Sequence, residues 1–209
     1  MTNVMIVEDD PMAQKLLEIF VSGNSSYQVV HTIESAAMAE FYCMTNEIDL
    51  ILMDVCTAMN VSGLEAAEKI KSRFPFIKII IITSQPECSF IDRARAAGVE
   101  SFWYKTASAE EILTVMDRTM AGESIYPDTT PRLQLGDAAS DKFSELELEV
   151  LRLVVAGETD AGIAEKLFIS IRTVKQHIQT LRDKTGFRNR TELAVRARES
   201  GLVINDRIG

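Results

Sequence analysis

The spacing of apolar positions along this chain changes character near residue 122. Before that point, apolar runs near 3–7, 27–32, 49–53, 78–82 and 100–104 alternate with amphipathic segments near 11–22, 35–46, 63–73, 87–97 and 108–121. Short, continuous apolar runs suit strands buried on both faces, and the segments between them are long enough to be crossover helices. Pro11 fits a first helical position, and Ser108 with Glu111 reads as a capping box. The pattern predicts a five-stranded, doubly wound parallel α/β sheet. Right-handed crossovers would cover both faces and leave the strand ends open.

From Gly122 to Lys142 the periodicity stops and Gly, Pro, Ser, Thr and Asp dominate (GESIYPDTTPRLQLGDAASDK), which predicts a linker. From Phe143 on, only helical spacing is found, and caps mark four helices. Ser144 with Glu147 boxes the first, which Gly157 stops, and Thr159 opens a short second. Ser170 opens the third, ended by Gly186, and Asn189 with Glu192 boxes a fourth from Arg190 to Ser200. The expected organisation is a domain of 1–121, a linker of 122–142 and a small all-α domain of 143–209.

With 209 residues the chain has room for two small cores, and 46% hydrophobic with 25% charged residues is an ordinary globular balance. No apolar stretch approaches the roughly 20 residues that cross a bilayer, and acids stand by position 8 where a leader would be basic. A cytoplasmic location and no membrane partner are the expectation. Cys43, Cys56 and Cys88 include no CxxC pair, so reduced, structural thiols are expected in place of a disulfide framework or a zinc site. The net charge of -9 is unevenly spread: residues 1–125 carry 9 basic against 18 acidic side chains, whereas 172–198 carry 8 against 2. A basic segment on an acidic chain points to a polyanion partner at one end only.

Four of the five runs end on a residue capable of phosphate or metal chemistry. Val4–Val7 leads into Glu8, Asp9 and Asp10; Leu50–Met53 into Asp54; Ile79–Ile82 into Thr83; Phe102–Tyr104 into Lys105. One acid after an apolar run is ordinarily a cap or turn residue, but in an open parallel sheet the C-terminal strand ends share the edge where ligands bind. Four such residues at successive strand ends point to one pocket. Glu8 or Asp9 with Asp54 suits a hard divalent cation, Mg²⁺ or Mn²⁺, which takes one or two carboxylates plus waters and phosphate oxygens. Two carboxylates about 4 Å apart repel by about 4 kcal/mol at an effective dielectric near 20, and a cation relieves that repulsion. Asp54 then qualifies as a carboxylate nucleophile towards a phosphoryl group, with Lys105 neutralising one phosphoryl oxygen and the Thr83 hydroxyl donating to another.

In these residues, residues 1–121 resemble the receiver domains of bacterial two-component response regulators. The resemblance implies that Glu8 and Asp9 are the acidic metal-binding pair, Asp54 the phosphoacceptor, Thr83 the switch hydroxyl and Lys105 the invariant lysine. It also implies the backbone carbonyl of Cys56 as a metal ligand. Phe102, three residues before Lys105, falls where the family keeps an aromatic rotamer switch, although core packing accounts for it equally well. The chain departs from the family in the loop after Asp54: Ala58 replaces a proline, and the glycine expected eight residues on comes at nine, as Gly63. The rigidity of that loop bears on kinase recognition and on the lifetime of the phosphate. Thr106 stands where a proline commonly follows the lysine, removing the usual source of a cis bond.

In Ser170–Gly186 (SIRTVKQHIQTLRDKTG), Ile171, Val174, Ile178 and Leu181 form one apolar stripe, opposite Arg172, Lys175, Gln176, Gln179 and Arg182. Such a polar face is ordinarily just solvated, but long donors on a helix that follows a short helix and a tight turn describe a helix-turn-helix lying in the major groove. Residues 143–205 resemble the LuxR-type DNA-binding domain of the NarL/FixJ subfamily, with Gly157, Ile163, Ala164, Leu167, Ser170, Thr173, Val174, Lys175 and His177 in register. This resemblance implies base contacts from Lys175, Gln176 and Gln179, and backbone contacts from Arg172, Thr173 and residues around Arg188 and Arg190. His177 borders the stripe and is expected to pack. The fourth helix looks like the family's dimerisation helix.

The expectation is a response-regulator transcription factor, phosphorylated on Asp54 by a sensor histidine kinase, dimeric when active and bound to promoter DNA. It is no enzyme beyond accepting the phosphoryl group and removing it from itself. Two alternatives fit the residues less well. An aspartyl-nucleophile phosphatase needs a second acid two residues after the nucleophile, where Cys56 stands. A regulator acting through partner binding without phosphorylation would leave the intact Glu8, Asp9, Asp54, Thr83 and Lys105 unexplained.

Overall fold

The computed structural model describes residues 1–85, 87, 89–105, 109–128 and 132–203, with side chains left out at 109 and 110. The capping box expected at Ser108, and the residues Cys88 and Thr106, lie outside the described residues. Two compact units are found: Met1–Ser84 with Phe90–Asp128, and the residues from 132 to 203 grouped with the short segment Gln85–Ser89.

The first unit runs β1 (Thr2–Val7), α1 (Pro11–Ser22), β2 (Tyr27–Ile33), α2 (Ala39–Thr45), β3 (Leu50–Asp54), β4 (Cys56–Thr57), β5 (Val61–Ser62), α3 (Gly63–Arg73), β6 (Lys78–Thr83), α4 (Phe90–Ala96), β7 (Ser101–Tyr104) and α5 (Ala109–Met120). Five of the strands form one parallel sheet in the order β2-β1-β3-β6-β7. Val4–Val7, Leu50–Met53 and Ile79–Ile82 are wholly buried, as continuous apolar runs between two helical layers must be. One face packs Leu17 and Val21 of α1 and Ile112, Val115 and Met116 of α5 over alternate strand residues, Trp103 among them. The sheet order turns back on itself between β1 and β3. There the helices that follow these two strands diverge to opposite faces and open a crevice at the strand C-termini.

The second unit contains a two-stranded antiparallel hairpin, β8 (Gln134–Leu135) with β9 (Ala138–Ala139), then α6 (Glu145–Val155), α7 (Asp160–Lys166), α8 (Ile171–Thr185) and α9 (Arg190–Ser200). Ser144, Thr159, Ser170 and Asn189 each accept a bond from a first-turn amide, as their sequence positions predict. The box at Ser144 is reciprocal, with the Ser144 amide donating to Glu147 Oε2 at 2.7 Å. That at Asn189 is half made, because the Glu192 carboxylate takes the Arg188 amide at 2.9 Å.

The stretch expected to be a linker packs at both of its ends. Ile125 accepts a bond from the Phe102 amide at 2.8 Å, and the Tyr126 hydroxyl donates to the Val99 carbonyl at 2.7 Å, so both belong to the first unit. Leu135 and Ala138 are buried in the helical core of the second unit. Two-residue strands carry no periodicity to read, so only packing reveals them.

Among the described residues, no helix is long and apolar enough to cross a membrane. Cys43 and Cys56 form no disulfide.

Candidate functional site

Sheet register brings the strand-end residues level with one another. Met53 pairs with Val7, Asp54 with Ile82, and Thr83 with Tyr104, so Glu8, Asp54, Thr83 and Lys105 emerge along one edge. Carboxylate oxygens of Glu8, Asp9 and Asp54 lie within 4.8 Å of one another. Glu8 and Asp54 are buried, while Asp9 is exposed and leaves the group open to solvent. The Lys105 ammonium stands 2.8 Å from Asp54 Oδ2 and 2.5 Å from Glu8 Oε2, and the Val55 amide donates to Asp54 Oδ1 at 2.7 Å.

Burial pushes the Asp54 carboxyl up to about 7; Lys105 opposes the rise and Glu8 adds to it. Burial works against the Lys105 ammonium, but Asp54 and Glu8 outweigh it and hold its pKa above the usual lysine value. One ammonium serving two buried carboxylates leaves a local excess of negative charge. This donor set therefore fits a divalent cation: three carboxylates, one of them facing solvent, and an Asp54 carboxyl whose ionised form more positive charge beside it would favour.

The long loop after Asp54 folds into the ladder of β4 and β5, closed by a turn in which Met59 and Asn60 take left-handed φ of 63° and 55°. Gly63 reaches the position that closes the loop, its amide donating to the Val55 carbonyl at 2.8 Å. A Cβ there would lie 1.8 Å from the Asp54 carbonyl oxygen, so glycine is required by backbone contact with the site itself. Cys56 lies in this ladder opposite Ser62, and the Thr57 hydroxyl braces it by donating to the Val61 carbonyl at 2.6 Å. Thr83 is fully buried, its carbonyl accepting from the Lys105 amide at 2.9 Å.

Phe102 is buried at 1% exposure, with ring centroids 5.1 Å from Tyr104 and 6.4 Å from Tyr126. Arg95 lies 4.0 Å over the Tyr126 ring. Tyr126 was missed from the sequence. Its only signal was an apolar pair, Ile125–Tyr126, in a polar stretch.

On α8, Arg172, Lys175, Gln176 and Gln179 are exposed on one side, Thr173 and His177 are half-buried, and Val174, Ile178 and Leu181 are buried. Ile171 breaks the predicted stripe, being 47% exposed at the first turn, beyond the cover of the neighbouring helices. Gln179 is held from both ends, donating to Asp183 at 2.7 Å and accepting from Arg182 at 3.1 Å. Arg188 is exposed. Arg190, by contrast, is committed to the Asp160 carboxylate and the Glu158 carbonyl, so it ties the start of α9 to α7.

A parallel sheet with an acid–lysine pocket at its switch point, followed by a helix-turn-helix unit, defines a signalling protein that regulates transcription on DNA. Residues 4–117 match the family model for the response regulator receiver domain, and residues 141–197 match that for bacterial regulatory proteins of the luxR family. The response regulator protein VraR of Staphylococcus aureus is 31% identical over 207 residues, covering 96% of this chain and 98% of that protein. The chain belongs to the response regulators with a LuxR-type domain and is a DNA-binding transcriptional response regulator. The fold is shared with a structure of two RcsB dimers bound to two parallel DNAs (TM-score 0.62, 20% identity, 94% of this chain and 98% of that one). It is shared too with RcsB from Salmonella enterica serovar Typhimurium bound to promoter rprA with phosphomimetic BeF3- (TM-score 0.61, 22% identity, 94% and 98%).

Proposed function

We propose that Asp54 is the phosphoacceptor of this regulator and that a sensor histidine kinase supplies the phosphoryl group. The observation that carries this reading is the Asp54 carboxylate at the end of β3, paired with Lys105 at 2.8 Å inside the Glu8–Asp9–Asp54 cluster. Glu8, Asp9 and Asp54, with the Cys56 carbonyl, are the ligands we assign to Mg²⁺ or Mn²⁺, which when bound keeps Asp54 ionised and neutralises charge on the incoming phosphoryl oxygens. An Asp54 oxygen attacks phosphorus in line with its bond to the phosphohistidine nitrogen. The new O–P bond forms as the P–N bond breaks, and its electron pair returns to the imidazole. Lys105 moves from its Asp54 contact to a phosphoryl oxygen, and Thr83 donates to another. Phe102, packed behind the β6–β7 edge, is the aromatic whose rotamer would report that movement. Hydrolysis of the acyl phosphate in the same pocket resets the protein.

On the DNA side we assign base contacts to Lys175, Gln176 and Gln179 and backbone contacts to Arg172, Thr173 and Arg188, within a homodimer on promoter DNA. We place the regulator in the cytoplasm, where a bacterial promoter is found. We take 1–121 as the receiver and 143–209 as the DNA-binding domain, with 122–142 joining them and contributing packing to each. Treatment with a small phosphodonor and Mg²⁺ should add one phosphoryl group to the wild type and none to Asp54→Asn, read by intact mass. Equal labelling of the variant would overturn the assignment.

A further inference from the structure

Three of the four helices in the second unit are followed by glycine at positive φ: Gly157 at 82°, Gly186 at 75° and Gly201 at 69°. The exception is α7, which is followed by Phe168 at φ 55°. The local bonding is that of a Schellman ending, the Ile169 amide donating to the Ala164 carbonyl at 3.0 Å and the Phe168 amide to the Glu165 carbonyl at 3.3 Å. The same pattern closes α6 around Gly157, with Glu158 donating to Leu153 at 3.0 Å and Gly157 to Val154 at 3.1 Å. A side chain in this conformation is strained by its own Cβ, a strain that glycine avoids. Phe168 offsets none of that strain by packing, because it is 95% exposed. A large aromatic in a strained position, contributing no burial, is explained by neither stability nor solubility.

Its surroundings indicate what it meets. Phe168 precedes the Ser170 cap of α8 by two residues, and the next exposed apolar side chain is Ile171, on the first turn of that helix. Beyond Ile171 come Arg172, Lys175 and Gln176, all exposed. An apolar step at the mouth of a cationic, donor-rich helix face matches the surface of a DNA strand, where deoxyribose rings alternate with phosphates. We infer that Phe168, with Ile171 beside it, packs on deoxyribose of the DNA backbone where α8 enters the groove. The aromatic anchors the helix-turn-helix without reading sequence. Base edges are left to the long donors further along α8, since a phenyl ring outside the helix offers no hydrogen bond to discriminate them.

This inference rests on the reading of α8 as the helix that meets DNA, and its test separates the two. The whole 209-residue chain is titrated by fluorescence anisotropy with a duplex it enriches from a randomised library, and with a scrambled duplex of equal length. Phe168→Asn removes the ring and suits the left-handed turn. It should leave the unfolding midpoint unchanged or raised, and weaken binding to both duplexes by about tenfold, the size expected for exposing part of an aromatic again. Because no charge is lost, the slope of log K against log salt should match that of the wild type. Phe168→Leu, which keeps apolar mass, should retain most of the affinity. Wild-type affinity in Phe168→Asn, with Lys175→Ala weakened, overturns the inference alone; wild-type affinity in both overturns the reading of α8. A lowered unfolding midpoint in Phe168→Asn makes the residue structural and also overturns it. A loss confined to thymine-containing sites, and abolished by uracil in their place, would assign the ring to a base methyl instead of sugar.

Discussion

Lys105 Nζ and Asp54 Oδ2 meet at 2.8 Å across 51 residues of sequence, in a pocket where Glu8 supplies a second buried carboxylate. The ammonium opposes the effect of burial on Asp54, and removing it takes that ion pair from a carboxyl whose answer is to hold its proton.

That response sets a pH signature for metal-free protein. The folded Asp54 carboxyl titrates near 7, above its ordinary 3.8, so the folded state binds more protons than the unfolded state in between, and the Asp54 contribution to stability falls as pH rises through that window. Lys105→Met extends the window upward by removing the group that opposed the rise. With chelator present, the variant's urea midpoint should lie close to wild type at about pH 6 and fall well below it at about pH 8. A gap independent of pH would show that Asp54 is not the group responding.

Gly63→Ala tests the contact between this loop and the Asp54 backbone. A Cβ placed 1.8 Å from the Asp54 carbonyl oxygen forces the β3 terminus to move. The expected cost is about 2–3 kcal/mol in denaturant unfolding, with phosphodonor labelling slowed as well. Met59→Gly, at an exposed left-handed position in the same loop, should leave stability unchanged or slightly raised.

In the second unit, Glu147 combines two roles. Burial would raise its pKa, but Lys184 at 2.7 Å and the Ser144 amide outweigh that and bring it below the usual value. A depressed carboxyl contributes stability above its unfolded pKa, and that contribution is lost as pH falls through the depressed value. Glu147→Gln should therefore destabilise the unit at neutral pH, by about 1–2 kcal/mol, and differ little from wild type once the wild-type carboxylate is protonated. Far-UV circular dichroism melts at several pH values would check this.

The DNA face should separate readout from electrostatics. Lys175→Ala should lose about 1–3 kcal/mol on an enriched duplex and much less on scrambled DNA. Gln179→Ala should fall at the low end of that range, because its amide must first leave Asp183 and Arg182. Arg188→Ala should weaken both duplexes and flatten the salt slope by about 0.9. Arg190→Ala should instead lower the melting midpoint, since its guanidinium holds Asp160. Salt-dependent anisotropy titrations alongside thermal melts would distinguish the four, and a flattened slope with an unchanged melt for Arg190→Ala would refute its structural assignment.

Helices and strands were legible in the sequence because they are local: a continuous apolar run, a cap at Ser144 or Ser170 and a stop at Gly157 or Gly186 act within a few residues. The pocket was legible for a related reason. Parallel strands place their C-terminal ends on one edge, so Glu8, Asp54, Thr83 and Lys105 share that edge, and the adjacency of β1, β3, β6 and β7 brings them into one pocket. The order β2-β1-β3-β6-β7 itself came only from pairing across the sheet. Tertiary packing alone decided that Ile171 stays exposed although it shares the spacing of Val174, and that Leu135 and Ala138 enter a core from an apparent linker. It likewise turned Arg190 onto Asp160 and set Gly63 against the Asp54 carbonyl. Each of these depends on what a distant segment covers, pairs with or excludes, and periodicity holds no information about partners far along the chain.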